Sequence, residues 1–155
     1  MKRMFLIAGT IFALDQLSKV LVVQYLNLAE RGEIDVIPPI LNLRMAWNRG
    51  INFGFLAGDQ NTTRWILIAI AVLITSWIIW WMRRETRPLA RISAGVLIGG
   101  ALGNVLDRVV YGAVADFLNV SCCGFENPYA FNVADISIFA GALGLILFTG
   151  DKKTP

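Results

Sequence analysis

The sequence predicts an all-α membrane protein with four transmembrane helices and a small extracytoplasmic β-element in the first outer loop. Hydrophobic residues make up 56% of the 155-residue chain, which is above the share found in typical soluble domains. Residues 65–82 carry no charge and approach the length of about 20 residues that a helix needs to cross a bilayer. Three further apolar segments complete the predicted spans, which cover residues 4–26, 65–82, 92–110 and 131–148. We interpret residues 1–155 as a single membrane-embedded domain.

The first predicted span holds an acid and a base four positions apart, Asp15 and Lys19. This spacing places both side chains on one helix face, where we expect an ion pair. A buried pair of this kind either orients the helix or serves the function directly, and the sequence leaves both interpretations open. Lys2 and Arg3 precede the apolar run as in a secretory signal peptide, but no small-residue cleavage site follows it, so we expect a retained helix.

The first outer loop, residues 27–64, has a pattern of its own. Apolar side chains alternate with polar or small ones over Leu41–Asn48, and this period of two predicts a strand with one apolar face. Gly50 and Gly54 follow and indicate turns or close backbone approach. We therefore predict a β-element over residues 33–58 that rests on the outer membrane surface, with an ordinary amphipathic loop as the alternative.

The third predicted span combines small and polar residues. A glycine recurs every four positions at Gly95, Gly99 and Gly103, which allows another helix to approach closely. Three polar side chains share one face next to this ladder: Asn104, Asp107 and Arg108. Interhelical hydrogen bonding and a direct role in function both remain open for these three residues.

The positive charges predict the orientation of the spans. Short cytoplasmic loops collect Lys and Arg, and residues 83–91, between the second and third predicted spans, contain four arginines. Lys2 and Arg3 precede the first span, whereas residues 111–130 contain neither Lys nor Arg. Both termini are therefore expected in the cytoplasm. Because the net charge of +3 reflects residues that flank spans, nucleic-acid binding is not expected.

Two aspartates lie beside apolar segments, where a charge is costly. Asp116 follows the third predicted span and Asp135 begins the fourth, so both are expected at a similar depth near the outer surface. Asn132 is predicted to share a helix face with Asp135. Two carboxyl groups held close together share one proton, so one can activate water while the other polarises a carbonyl group. From these residues alone, catalysis, ion binding and structural pairing remain alternatives.

Other chemistries have less support in the sequence. The chain contains no histidine, which removes the commonest general base and a common zinc ligand. Cys122 and Cys123 are adjacent and expected outside the membrane, where they either pack within the loop or form a disulfide. A cysteine-protease site is not expected without a histidine partner. We predict neither a metal nor a cofactor.

Five ordered motifs give the chain a resemblance to a known family. They are Asp15–Lys19, Asn48–Gly54, Gly99–Arg108, Gly112–Phe117 and Phe131–Asp135. Over nearly its full length the sequence resembles lipoprotein signal peptidase, also called signal peptidase II, a family of aspartic proteases of the bacterial inner membrane.

The resemblance implies that Asp116 and Asp135 form a catalytic pair acting on a water molecule. It implies that the substrate is a prolipoprotein whose lipobox cysteine carries diacylglyceryl, and that cleavage before this cysteine frees the signal peptide. Inhibition by the cyclic peptide globomycin is implied as well. The residues expected to line or support the site are Asp15, Lys19, Asn48, Gly54, Asn104, Asp107, Arg108 and Asn132. The site is expected at the outer leaflet boundary, with the β-element as a cradle over the substrate.

A function of a different class stays open beside this one. A non-enzymatic proton or ion carrier would use Asp15, Asp107, Asp116 and Asp135 as a relay. A relay predicts carboxylates spread in depth, whereas a protease predicts two of them clustered at one level; the second span contributes no acid to a relay. We expect a monomer in contact with membrane phospholipid, although the glycine ladder also suits contacts between chains.

Overall fold

The computed structural model describes residues 1–50, 60–122, 124 and 127–150. The elements follow in the order α1 (Lys2–Lys19, continued by a π-helical segment, Val20–Tyr25), α2 (Leu28–Arg31), β1 (Glu33–Ile37), β2 (Leu41–Asn48), α3 (Gln60–Met82), α4 (Pro88–Tyr111), β3 (Val114–Val120) and α5 (Val133–Thr149). All four predicted spans are therefore helical. Three helical stretches are long and apolar enough to cross a membrane, Lys2–Tyr25, Asn61–Met82 and Pro88–Tyr111, and α5 is a shorter apolar helix.

Helix α4 has local signals at both ends. It begins at Pro88, where the missing N–H of proline costs nothing because the first turn has no intrahelical partner for it. It ends at Gly112, whose φ of 78° lies in the left-handed region that glycine adopts without a steric penalty. The chain reverses direction at this glycine, and β3 starts at Val114.

Small residues let α4 pack tightly between α1 and α5. A Cβ atom on Gly99 would lie 2.5 Å from the carbonyl oxygen of Ala8 in α1. On the other side, a Cβ atom on Gly100 would lie 2.5 Å from the carbonyl oxygen of Ala134 in α5. The predicted role of the glycine ladder is thus confirmed within one chain, because backbone meets backbone where the glycines lie.

The helix bundle is apolar at one end and polar at the other. The apolar end is a cluster of buried side chains from all four long helices: Met4, Ala8, Ile78, Met82, Ala94, Leu97, Ile98 and Leu145. These residues come from the start of α1 and α4 and from the end of α3 and α5. The end of α1, the end of α4 and the start of α5 consequently meet at the opposite end. The buried charged residues of these helices, Asp15, Lys19 and Asp107, lie there together with Asn104 and Asn132.

A three-stranded antiparallel sheet covers this polar end, with strand order β1-β2-β3. The alternating pattern correctly predicted β2 at Leu41–Asn48. Strand β3 was not predicted; it comes from the link between α4 and α5 and pairs Asp116 with Ala46 of β2. The sheet thus combines the link between α1 and α3 with the link between α4 and α5, and it holds Asp116 in a regular strand. The rest of the predicted β-element, residues 51–58 with Gly54, lies outside the described residues.

Candidate active site

Asp116 is a buried carboxyl group on β3. Asp116 is only 3% exposed to solvent. Both oxygens of its carboxyl group accept hydrogen bonds from asparagine side-chain amides. The Nδ2 atom of Asn132 lies 2.6 Å from one oxygen, and Nδ2 of Asn48 on β2 lies 3.0 Å from the other. The pairing of β2 with β3 brings Asn48 next to Asp116. The resemblance to lipoprotein signal peptidase had implied that Asn48 lines or supports the site.

Asp135 lies in the first turn of α5 and takes part in a capping box. The Oδ1 atom of Asn132 accepts from the backbone N–H of Asp135 at 2.9 Å, and Oδ2 of Asp135 accepts from the backbone N–H of Asn132 at 3.2 Å. This reciprocal arrangement satisfies two backbone donors that would otherwise lack partners. The other oxygen of Asp135 accepts from Nδ2 of Asn104 at 2.9 Å.

The predicted position of Asn132 on a helix face is wrong. Asn132 is the N-cap of α5, with extended backbone angles (φ −136°, ψ 179°). An asparagine followed by an acid three residues later, just before an apolar run, is the sequence signal for such a cap. Because the residue stands before the helix, its side chain is free to reach Asp116 as well as the N–H of Asp135.

Burial dominates the electrostatics of Asp116. Loss of hydration raises the pKa of Asp116 to about 6, and the nearby charge of Asp135 adds to the rise, while the amides of Asn48 and Asn132 and the charge of Lys19 act in the opposite direction. Asp135 is thus close enough to act on the ionisation of Asp116. A pair in this situation holds one proton over the pH range in which a lone aspartate holds none.

Arg108 supplies a positive charge next to the two aspartates. Its guanidinium group donates to the backbone carbonyl of Asn104 at 3.3 Å, and its charge acts on those of Asp135, Asp116 and Asp107. A cation next to carboxyl groups favours their charged form.

A second buried group of charges lies beside the pair. Asp15 and Asp107 are both fully buried, and the ammonium nitrogen of Lys19 lies 2.7 Å from Asp15 Oδ2 and 2.8 Å from Asp107 Oδ2. The predicted ion pair of Asp15 and Lys19 is therefore confirmed, with Asp107 as an additional partner. The same ammonium group lies 3.5 Å from Oδ1 of Asn104, which connects the buried charges to Asp135.

Gln16 belongs to this group and was missed as a site residue. Its Nε2 atom donates to Asp15 Oδ2 at 3.0 Å and to Asp107 Oδ1 at 3.1 Å. A neutral residue next to a charged one attracts little notice in a sequence. Its place inside the Asp15–Lys19 motif was the available signal.

The structure gathers nearly all of the predicted site residues at one end of the bundle. They are Asp15, Lys19, Asn48, Asn104, Asp107, Arg108, Asp116, Asn132 and Asp135. Gly54 lies outside the described residues. Cys122 is disulfide-bonded, one of the two states left open for it.

Known proteins resemble this chain over most of its length. The family profile described as Signal peptidase (SPase) II matches residues 7–149. The lipoprotein signal peptidase of Methylobacterium sp. (strain 4-46) is 38% identical over 142 residues, covering 92% of this chain and 85% of that protein. The lipoprotein signal peptidase of Rhodopseudomonas palustris (strain ATCC BAA-98 / CGA009) is 37% identical over 148 residues, covering 93% of this chain and 90% of that protein.

Two solved structures of bacterial membrane enzymes, both determined by the in meso method, share the fold. One superposes with a TM-score of 0.81 at 27% identity, covering 99% of this chain and 96% of the other. The second gives a TM-score of 0.76 at 26% identity, covering 100% of this chain and 95% of the other. Sequence and fold agree, and the chain belongs to the signal peptidase II family of membrane proteases.

Proposed function

We propose that this protein is an aspartic endopeptidase that removes the signal peptide from diacylglyceryl-modified prolipoproteins by cleaving before the lipidated cysteine. Membership of the family supports the removal of signal peptides from prolipoproteins. The observation that carries the aspartic mechanism is the position of Asn132, which contacts both Asp116 and Asp135. Two carboxyl groups from different elements thereby meet around one asparagine, Asp116 at its side-chain amide and Asp135 at its backbone N–H.

In the proposed reaction, the ionised aspartate takes a proton from a water molecule as that water attacks the scissile carbonyl carbon. The protonated aspartate donates a hydrogen bond to the carbonyl oxygen, which gains negative charge. The resulting tetrahedral species breaks down when a carboxyl group gives a proton to the leaving amide nitrogen. The raised pKa of Asp116 supports this division of labour, because a general acid must keep its proton near the working pH.

The helices and the charge distribution support the proposed membrane arrangement. We infer that α5 crosses the membrane together with the three longer helical stretches. Four spans put both termini on one side of the membrane, and the four arginines of residues 83–91 favour the cytoplasm for that side. The polar end of the bundle and the sheet then lie at the outer leaflet boundary of the inner membrane. A lipid-anchored substrate reaches this level by lateral diffusion, and the sheet stands over the polar end as the expected cradle.

The clustering of carboxyl groups does not favour a carrier. Asp15, Asp107, Asp116 and Asp135 meet at one end of the bundle, and Asp15 and Asp107 are held by Lys19. Helix α3 contributes neither Asp nor Glu. A relay through the membrane needs acids at successive depths, which these four residues do not supply.

The test is cleavage of a diacylglyceryl-modified prolipoprotein by the purified chain, compared with Asp116→Asn and Asp135→Asn. Asparagine keeps the size of the side chain but cannot exchange the proton, so we expect both variants to fold and to lose activity by at least about 10³-fold. Asp35→Asn is the matched control, since Asp35 is exposed on β1. Full activity of either site variant would refute the catalytic pair. Cleavage at a bond other than the one before the lipidated cysteine would refute the proposed specificity.

A further inference from the structure

We propose that Asp15, Asp107, Gln16 and Lys19 form a buried positioning ring that sets the separation of the two catalytic segments. This inference rests on the proposed function, because it assumes that Asp116 and Asp135 are the catalytic pair. The four residues lie on α1 and α4 and make no direct contact with either catalytic carboxyl group through their own side chains among the hydrogen bonds of the described residues. They act through the backbone.

The ring holds the backbone immediately before each catalytic aspartate. The Oδ1 atom of Asp15 accepts a hydrogen bond from the N–H of Ala134 at 2.9 Å. The Oδ2 atom of Asp107 accepts one from the N–H of Ala115 at 3.1 Å. Ala134 precedes Asp135 and Ala115 precedes Asp116, so each buried carboxylate holds the backbone N–H one residue before a catalytic aspartate.

Two further side chains join the two buried carboxylates to each other. Lys19 contacts Asp15 at 2.7 Å and Asp107 at 2.8 Å. Gln16 contacts the same two residues at 3.0 Å and 3.1 Å. Hydrogen bonds to ionised groups are short and strong, and they are stronger still where water is excluded. Asp15, which holds Ala134, and Asp107, which holds Ala115, are consequently joined by two parallel bridges. The charged bridge is Lys19 and the neutral bridge is Gln16.

The sequence around the two aspartates matches this arrangement. The tripeptide Val-Ala-Asp occurs at residues 114–116 and again at residues 133–135. Both alanines are buried, and a small side chain lets the backbone N–H come close to a carboxylate inside the bundle. One copy is in a strand and the other is in the first turn of a helix, so the shared feature is the inward N–H and not the secondary structure.

The proposed reaction requires a fixed distance between the two catalytic carboxyl groups. Two carboxyl groups that share a proton and a water molecule must be held to within a fraction of an ångström, and a displacement of about 1 Å can cost about 10²-fold in rate. Gln16 is the informative residue, because its removal breaks one of the two links without leaving an unpaired charge. We expect the rate to respond at Gln16, although among the described hydrogen bonds its side chain contacts neither catalytic carboxyl group.

The experiment uses the full-length protein in detergent and compares Gln16→Met with Thr10→Val. Methionine keeps the length of the side chain but removes both donors. Thr10 is an exposed residue of the same helix that bonds only to its own helix backbone among the described contacts, so it controls for loss of a polar group. We expect Gln16→Met to lower kcat by about 10- to 100-fold with KM within about twofold, while Thr10→Val leaves both unchanged.

Hydrogen–deuterium exchange tests the geometry without using activity. We expect the amides of Ala115 and Ala134 to be protected in the wild type and to exchange faster together in Gln16→Met. Any of three results would overturn the ring. The first is that the two amides are unprotected in the wild type, and the second is that exchange and kcat are both unchanged in Gln16→Met. The third is that exchange becomes faster at only one of the two alanines. Lys19→Arg, which keeps the charge but changes the reach of the donors, is measured in parallel and is expected to act in the same direction.

The two proposals fail in different ways. Retained activity of Asp116→Asn would refute the catalytic pair, while the exchange measurement would still decide whether the ring couples the two segments. An inactive Asp116→Asn together with a fully active Gln16→Met would leave the pair intact and refute the ring.

Discussion

Asn132 donates a 2.6 Å hydrogen bond to Asp116 from the same side-chain amide whose oxygen caps helix α5. A residue that begins a helix therefore also bridges to a neighbouring strand. Capping alone would be satisfied by several residue types, since Ser and Asp are about as suitable as Asn at this position. The carboxamide of Asn132 accepts from the helix through Oδ1 and donates to the carboxyl group through Nδ2, a separate atom, which gives the asparagine a role beyond the start of the helix.

The two roles of Asn132 can be separated by substitution. Asn132→Ser keeps a capping oxygen but has no amide to reach Asp116, so we expect stability close to that of the wild type and a large loss of activity. Asn132→Ala loses the cap as well and is expected to cost about 1 kcal/mol in stability in addition. Thermal unfolding in detergent and prolipoprotein cleavage measure the two effects. Equal activity of Asn132→Ser and the wild type would contradict the bridging role.

The raised pKa of Asp116 predicts a stability cost that grows with pH. The folded protein binds this proton more tightly than the unfolded chain, whose ordinary value is 3.8, so stability falls as the pH rises from about 4 through about 6. Asp116→Asn does not titrate. Between pH 4 and pH 7 the free energy of unfolding of the wild type should therefore fall relative to that of Asp116→Asn by up to about 3 kcal/mol.

Melting temperatures across this pH range measure the shift, with the exposed Asp35→Asn as a control that should follow the wild type. A difference between wild type and Asp116→Asn that stays constant with pH would mean that the carboxyl group titrates normally in the fold. A shift in the opposite direction would mean that its pKa is lowered.

The close contact of α1 and α4 predicts that Gly99 tolerates no side chain. A Cβ atom there would lie 2.5 Å from the Ala8 carbonyl oxygen and 2.7 Å from the Ile11 Cβ atom. The two helices must move apart to make room, so Gly99→Ala should destabilise the protein by about 1 to 3 kcal/mol. Gly9→Ala is the matched control, because a Cβ atom at Gly9 meets no atom within 4 Å and alanine favours the helix by about 1 kcal/mol. A melting temperature for Gly99→Ala equal to that of the wild type would show that the helices are less tightly packed than described.

Local pattern was sufficient for much of the fold. Three features depend on residues that are close together in the chain. They are the helices at the four apolar segments, the strand at Leu41–Asn48 and the ion pair of Asp15 with Lys19. Each follows from a period of 3.6 or 2 or from the spacing of one helical turn. Spacing singled out most of the candidate site residues, the motif resemblance added Asn48 and Gly54 and assigned the roles, and the structure places nearly all of these residues together.

Long-range contacts account for what the pattern did not predict. Strand β3 has a largely buried sequence. It becomes a strand because β2 offers it a partner more than 60 positions earlier in the chain, as in the pairing of Ala46 with Asp116. The predicted position of Asn132 was wrong because the fourth span was predicted to begin at residue 131, whereas α5 begins at Val133. The role of Gln16 depends on Asp107, 91 residues away.

The sequence by itself determined which segments are apolar helices, where one strand lies and which residues carry charge into the bundle. These properties depend on hydrophobic periodicity and on near neighbours, which a single chain displays directly. Only the tertiary structure decided that Asp116 and Asp135 meet around Asn132, and that Asp15 holds the backbone of Ala134 across 119 residues. Such contacts form because close packing at glycines brings α1, α4 and α5 together and because buried polar groups must find partners once water is excluded.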